Sequence, residues 1–194
     1  AYFDSRGLTH KPKLLAVTGV GHKAGVTTTA AGLARSLSET GDGNVLLVDM
    51  TRTQGSAQQF LQGKAVCGID QLLDTRKDAQ VQDNLYVVGT QPNNEQLTRI
   101  LPARFNQLIP KLKASDFDYI IFDMPAVSQI SITPRLAQFM DMVLLVVESE
   151  KTDRDIAKQA AALLAESRAP VGAILNKNRE YGPSRAHQEF LGGV

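Results

Sequence analysis

The sequence predicts an α/β fold with a mostly parallel central sheet, on three observations. Short, continuously apolar runs recur along the chain, separated by amphipathic segments of helix length. Two of those runs, Val45–Asp49 and Asp118–Asp123, end in aspartate. The first run, about Leu14–Thr18, opens into a glycine-rich turn and a helix that begins on Thr27, Thr28 and Thr29.

In chain order, residues 1–12 are polar and irregular and read as a loosely held arm, with Pro12 just ahead of the first strand. Leu14–Thr18 is apolar throughout, as a strand covered on both faces should be. A helix follows over about Val26–Thr40 and stops at Gly41-Asp42-Gly43-Asn44. Val45–Asp49 is the second buried strand, with its carboxylate at the C-terminal end, where open parallel sheets bind ligands. Residues 53–80 read as two short helices and a loop carrying Phe60, Leu61, Ile69, Leu72 and Leu73. Leu85–Val88 is a further strand. Pro92-Asn93-Asn94-Glu95 opens a helical stretch to about Ala114, which Pro102 should interrupt. Asp118–Asp123 is a strand, and a helix within Ile130–Met140 should start late, because Pro134 suits a first turn. Met142–Val147 is a purely apolar strand, and Thr152–Arg168 a helix with Ile156, Ala160, Leu163 and Leu164 on one face. Val171–Leu175 is the last strand.

The length of 194 residues suits one well-buried domain, and no internal repeat, low-complexity tract or linker divides it. The expected division is an arm over 1–12, one domain over 13–179 and a tail over 180–194. A net charge of +1 gives no bulk-charge reason to bind nucleic acid or an anionic membrane. Cys67 is the single cysteine, so no internal disulfide forms, and this suits a reducing cytoplasm. No apolar run approaches the ~20 residues that span a bilayer and no signal peptide is visible, so direct membrane insertion is not expected. The chain opens on Ala1 rather than Met, which leaves room for a membrane-spanning part outside it.

The stretch Gly19-Val20-Gly21-His22-Lys23-Ala24-Gly25-Val26-Thr27-Thr28 has the layout of a phosphate-binding loop. Backbone N–H groups from about Ala24 to Thr28, together with the helix N-terminus, would face an anion, so phosphate or sulfate is an expected occupant. Nucleotide chemistry also needs a hydroxyl on the metal, which Thr27 could supply. Acidic groups for Mg²⁺ or its waters could come from Asp49 and Asp123. The plainer reading is a β–α turn that binds nothing, with aspartates serving as caps. Three matching features in the correct order favour the binding site. A metal cluster finds no support, because His10, His22 and His187 are scattered. A serine nucleophile finds none either, since no Gly-x-Ser-x-Gly elbow occurs.

From about Lys13 to Arg179 the chain resembles the bacterial tyrosine kinase (BY-kinase) branch of the deviant Walker P-loop ATPases, relatives of MinD and ParA. The loop with Thr27–Ala34 resembles the Walker A motif, Val45–Asp49 the Walker A′ strand, and Asp118–Pro125 the Walker B strand with its Asp-x-Pro ending. Leu85–Leu97, Asp141–Val147 with Thr152, and Gly172–Asn176 resemble later motifs of the same branch. The resemblance implies a three-layer P-loop NTPase fold with helices on both faces of the sheet. It implies ATP or ADP with Mg²⁺, bound by Gly21, Lys23, Ala24, Gly25, Val26, Thr27 and Thr28, with Asn176 near the base. Thr27, Asp49 and Asp123 would hold the metal, and Asp49 and Asp123 would be the catalytic pair of an active member. It further implies a role in exopolysaccharide or capsule synthesis and export. The chain would then lie in the cytoplasm at the inner face of the membrane, through the cytoplasmic part of a polysaccharide co-polymerase, with oligomers allowed.

The departures from that pattern decide the expected function. The Walker A lysine position holds Val26, and the second Walker A′ carboxylate is replaced in Asp49-Met50-Thr51. Arg52 is present, but Thr53 and Gln54 follow where arginines are usual. Tyr181 stands alone in the tail where the family carries a tyrosine cluster, and the MinD/ParA signature lysine position is Gly21. A lost charge-assisted hydrogen bond costs about 1.5–3 kcal/mol in the ground state, and more where transfer depends on electrostatics. The leading expectation is a degenerate domain acting as a scaffold or regulator, with weak or absent ATP hydrolysis. The rival is an active autokinase or ATPase using Lys23, which otherwise reads as a solvated loop lysine, like His22 a surface residue. A MinD/ParA-type positioning ATPase is the third reading.

Overall fold

The structure, a computed structural model, describes residues 7–21, 23–40, 43–51, 55–61, 67–69, 76–89 and 97–178. His22, Arg52, Thr53, Gln54, the 92–95 segment, Tyr181, His187 and the rest of the tail lie outside the described residues. Among the described residues seven strands form one sheet: β1 (Lys13–Gly19), β2 (Val45–Asp49), β3 (Gln80–Gln82), β4 (Leu85–Gly89), β5 (Tyr119–Asp123), β6 (Met142–Glu148) and β7 (Val171–Asn176). Their order across the sheet is β3-β4-β2-β5-β1-β6-β7, and every pairing is parallel except that of β3 with β4.

Successive side chains of a strand point to opposite faces, and here both faces are buried, which is why the strands read as unbroken apolar runs. Leu14, Ala16, Leu46, Val48, Ile120, Phe122, Val143 and Leu145 face one core. It is closed by α4 (Leu97–Lys113) through Phe105, Ile109 and Leu112, α5 (Thr133–Ala137) through Leu136 and Ala137, and α6 (Arg154–Ala165) through Ala160 and Leu164. Leu15, Val17, Leu47, Val87, Ile121, Leu144 and Val146 face the other. There α1 (Val26–Glu39) contributes Ala30 and Ala34, and the short α2 (Gln58–Leu61) contributes Leu61. The three-layer arrangement expected from the sequence is therefore present.

Several local expectations are corrected. Pro102 does not interrupt its helix: α4 runs continuously from Leu97 to Lys113, with Pro110 also inside it. Its Phe105, Leu108, Ile109 and Leu112 are buried, and that packing outweighs two missing backbone donors. The two short helices expected over 53–80 are α2 and α3 (Arg76–Ala79), but the latter runs into β3, an antiparallel edge strand with no apolar run to announce it. Ile156 is 53% exposed, whereas Ala160 and Leu164 are buried. β7 is an edge strand whose alternate residues Val171, Ala173 and Leu175 are exposed, Leu175 at 63%. α5 begins at Thr133 with Pro134 in its first turn, as its sequence suggests.

The stretch before β1 is tied to the sheet. Lys11 pairs with Asp118, and His10 Nε2 lies 3.1 Å from Asp141 Oδ2. The same two aspartates accept backbone N–H groups of Asn44 (2.7 Å) and Leu14 (2.8 Å), which locks the strand starts opposite the site.

Candidate functional site

The site lies beyond the carboxyl ends of β1, β2 and β5, three adjacent strands. Asp49 and Asp123 are register partners on β2 and β5, and Asp123 is also the register partner of Val17 on β1. Sheet geometry therefore levels the two carboxylates with the start of the glycine-rich loop. Met50 N–H donates to the Asp123 carbonyl at 3.0 Å and Val127 N–H to the Gly19 carbonyl at 2.9 Å, so the strand ends stay together past the ladder. The Thr18 and Thr133 hydroxyls both donate to the Pro125 carbonyl, at 2.7 and 2.8 Å, and fix the turn after Asp123.

In the loop, Lys23 (φ 68°) and Gly25 (φ 98°) occupy the left-handed region, and Gly25 ends the loop as the N-cap residue of α1. A side chain at Gly25 would collide with the Asn176 amide. Among the described residues no side chain caps this helix, and its first backbone bond is Thr29 N–H to the Gly25 carbonyl at 2.9 Å. The N–H groups of Val26, Thr27 and Thr28 thus precede the helical ladder, which is the arrangement that favours an anion. Ala24 is buried and Thr27 half-buried, whereas Gly21, Lys23 and Thr28 are exposed.

Asn176 is tied to the loop. Its Nδ2 donates to the Ala24 carbonyl at 2.9 Å, while Lys177 Nζ donates to the Lys23 carbonyl at 2.5 Å and lies 3.2 Å from Glu148 Oε1. The end of β7 thereby holds the outer limb of the loop. Lys151 and Lys177 hold the Glu148 carboxyl below its ordinary range through hydrogen bonds and charge.

Val26 packs with the second core, over Gly19, where a β-carbon would strike the valine methyl. The position that would carry a lysine thus presents a methyl group fitted against the strand, and no cation.

The two carboxylates are held differently. Asp49 Oδ1 accepts from the Thr51 N–H (2.9 Å) and hydroxyl (2.7 Å), and Oδ2 from the Ala57 N–H (3.0 Å). Thr51, at the position of the lost second carboxylate, therefore stabilises the first. Asp123 is fully buried; its Oδ2 accepts the Ser56 N–H at 3.1 Å, and among the described residues its buried Oδ1 makes no hydrogen bond of good geometry. Burial pushes the Asp123 carboxyl up to about 6, and the Asp49 charge adds to this; Ser56 and the Thr27 hydroxyl pull it back only in part. A buried, orphaned carboxylate oxygen beside a threonine hydroxyl and a second carboxylate suits a hydrated divalent cation. Of the residues singled out from sequence, Thr27, Asp49 and Asp123 come together. Ser56, which the sequence reading passed over, joins them; its only signal was Gly55-Ser56 ahead of the apolar residues of α2.

No protein-family profile matches the chain. The tyrosine-protein kinase CpsD of Streptococcus agalactiae serotype III is 30% identical over 178 residues, covering 87% of this chain and 75% of that protein. The chain belongs to the BY-kinase-like P-loop ATPase domains. Among solved structures, the kinase domain of Escherichia coli tyrosine kinase ETK superposes with a TM-score of 0.76 at 19% identity, covering 94% of this chain and 75% of that one. A plasmid partition protein from Borrelia burgdorferi bound to AMPPNP gives 0.67 at 18% identity, covering 93% and 81%. These two likenesses show a shared fold. Among the described residues, no helix of this BY-kinase-like domain is long and apolar enough to cross a membrane.

Proposed function

We propose that this chain is a degenerate BY-kinase-like domain, with residues 13–179 as the working unit. It receives a phosphate-bearing ligand in its loop, hydrolyses ATP weakly or not at all, and serves as a scaffold or regulator in exopolysaccharide or capsule synthesis. The observation that carries this reading is Val26. Phosphoryl transfer is driven by positioning and charge, and here a packed methyl group takes the place of the cation. The backbone donors at the start of α1 do not depend on that side chain, so ADP or ATP, phosphate or sulfate can still be held. Thr27 and Asp123 would hold Mg²⁺, which would supply positive charge against the terminal phosphates. Asp49, its oxygens occupied by Thr51 and Ala57, would act on the waters around it. Membrane association would come through the cytoplasmic part of a polysaccharide co-polymerase, as the family resemblance implies.

Isothermal titration with Mg·ADP and Mg·ATP tests the binding half. Heat at millimolar ligand, strengthened in Val26→Lys, is the expected outcome; no heat at millimolar ligand retires it. The rival reading, an active kinase using Lys23, is favoured by one observation: Lys23 is a cationic residue on the loop itself. Its carbonyl is fastened to Lys177 and its side chain is exposed, which supports a solvated role.

A further inference from the structure

The turn at 55–57 is pressed against both carboxylates at once. A side chain at Gly55 would overlap the Asp49 carboxylate, the Ser56 N–H donates to Asp123 Oδ2 at 3.1 Å, and the Ala57 N–H donates to Asp49 Oδ2 at 3.0 Å. Ser56 is fully buried; its hydroxyl lies close enough to the Asp123 carboxylate to help hold its pKa down, yet among the described residues it makes no hydrogen bond of good geometry. Asp123 Oδ1, on the carboxylate to which Ser56 is bonded, is likewise buried without a hydrogen bond of good geometry among the described residues. A buried hydroxyl and a buried carboxylate oxygen that both lack a well-formed hydrogen bond are unfavourable, and one occupant would serve both.

We infer that Ser56 is a positioning residue of the cation pocket. Its backbone N–H fixes the Asp123 carboxylate, turning Oδ1 toward the ligand, and its hydroxyl and Asp123 Oδ1 together hold a water of a hydrated divalent cation. This rests on the reading of Thr27 and Asp123 as the cation-holding pair, and extends it to a residue outside the Walker motifs. A residue that orients a ligand-bearing carboxylate changes metal affinity by about 10–100-fold on mutation.

The test is Mn²⁺ binding by electron paramagnetic resonance, with and without ADP, on the full chain as wild type, Ser56→Ala and Ser56→Thr. Melting temperature in EDTA is measured alongside. Ser56→Ala should weaken Mn²⁺ binding about tenfold. In EDTA it should melt no lower than wild type, because the hydroxyl it removes makes no well-formed hydrogen bond. Ser56→Thr, which keeps the hydroxyl, should recover most of the affinity. If wild type binds Mn²⁺ and Ser56→Ala binds it equally well, the inference fails and the cation reading stands. A lower melting point in EDTA with unchanged affinity assigns Ser56 a purely structural role and overturns it too. If wild type binds no Mn²⁺ in either condition, the cation reading fails and this inference falls with it.

Discussion

Asp123 sits where burial and the Asp49 charge both oppose ionisation, and its carboxyl is pushed up to about 6. The sign of the consequence follows from proton counting. Between the unfolded carboxyl value near 4 and the folded value near 6, the native state holds the extra proton, so stability falls as pH rises through that window. The cation-free protein should therefore melt lower at pH 8 than the remaining groups alone would set. Asp123→Asn should stabilise it there by on the order of 2–3 kcal/mol, with the difference vanishing below about pH 4. Thermal melts of both proteins in EDTA from pH 4 to 8 check this; equal melting points at pH 8 would contradict it. Asp49, Asp123 and Thr27 were legible from sequence because each stands at a strand or loop end that the pattern marks. The bonds of Ser56 and Thr51 were not, because they depend on how a turn folds back over strands far along the chain.

Among the elements, the strands were the most readable. Both faces of β1, β2 and β5 are covered, so their sequences are apolar without alternation. α4 was misjudged at Pro102 because the proline penalty is local, whereas Phe105, Ile109 and Leu112 gain from the whole sheet face. Phe105 is 2% exposed, with its ring 5.5 Å from that of Phe122 and 6.0 Å from that of Phe139. Phe105→Ala should cost about 3–5 kcal/mol, read as a lower urea midpoint with an unchanged slope; a loss under about 1 kcal/mol would mean that α4 contributes little to the core. β3 escaped notice because Gln80–Gln82 has no apolar signature, and only its pairing with β4 makes it a strand. β7 differs for the opposite reason: its sequence is apolar enough for a covered strand, yet it lies at the sheet edge with one face exposed.

At the level of the whole molecule, the topology and the site belong together. Placing β1 between β5 and β6, with β2 beyond β5, brings the loop and both aspartates to one end of the sheet. The opposite end is closed by Lys11, His10, Asp118 and Asp141. That architecture is shared with a plasmid partition protein at 18% identity, so it does not by itself say whether phosphate is transferred. On the proposed reading, the difference rests on the side chain that leaves the first residue of α1. The decisive measurement is phosphate release from Mg·ATP by the purified wild-type chain, run beside Val26→Lys and Lys23→Ala. Release by wild type at the level of buffer, with measurable turnover gained in Val26→Lys, is the predicted result. Sustained metal-dependent turnover by wild type that disappears in Lys23→Ala would contradict it.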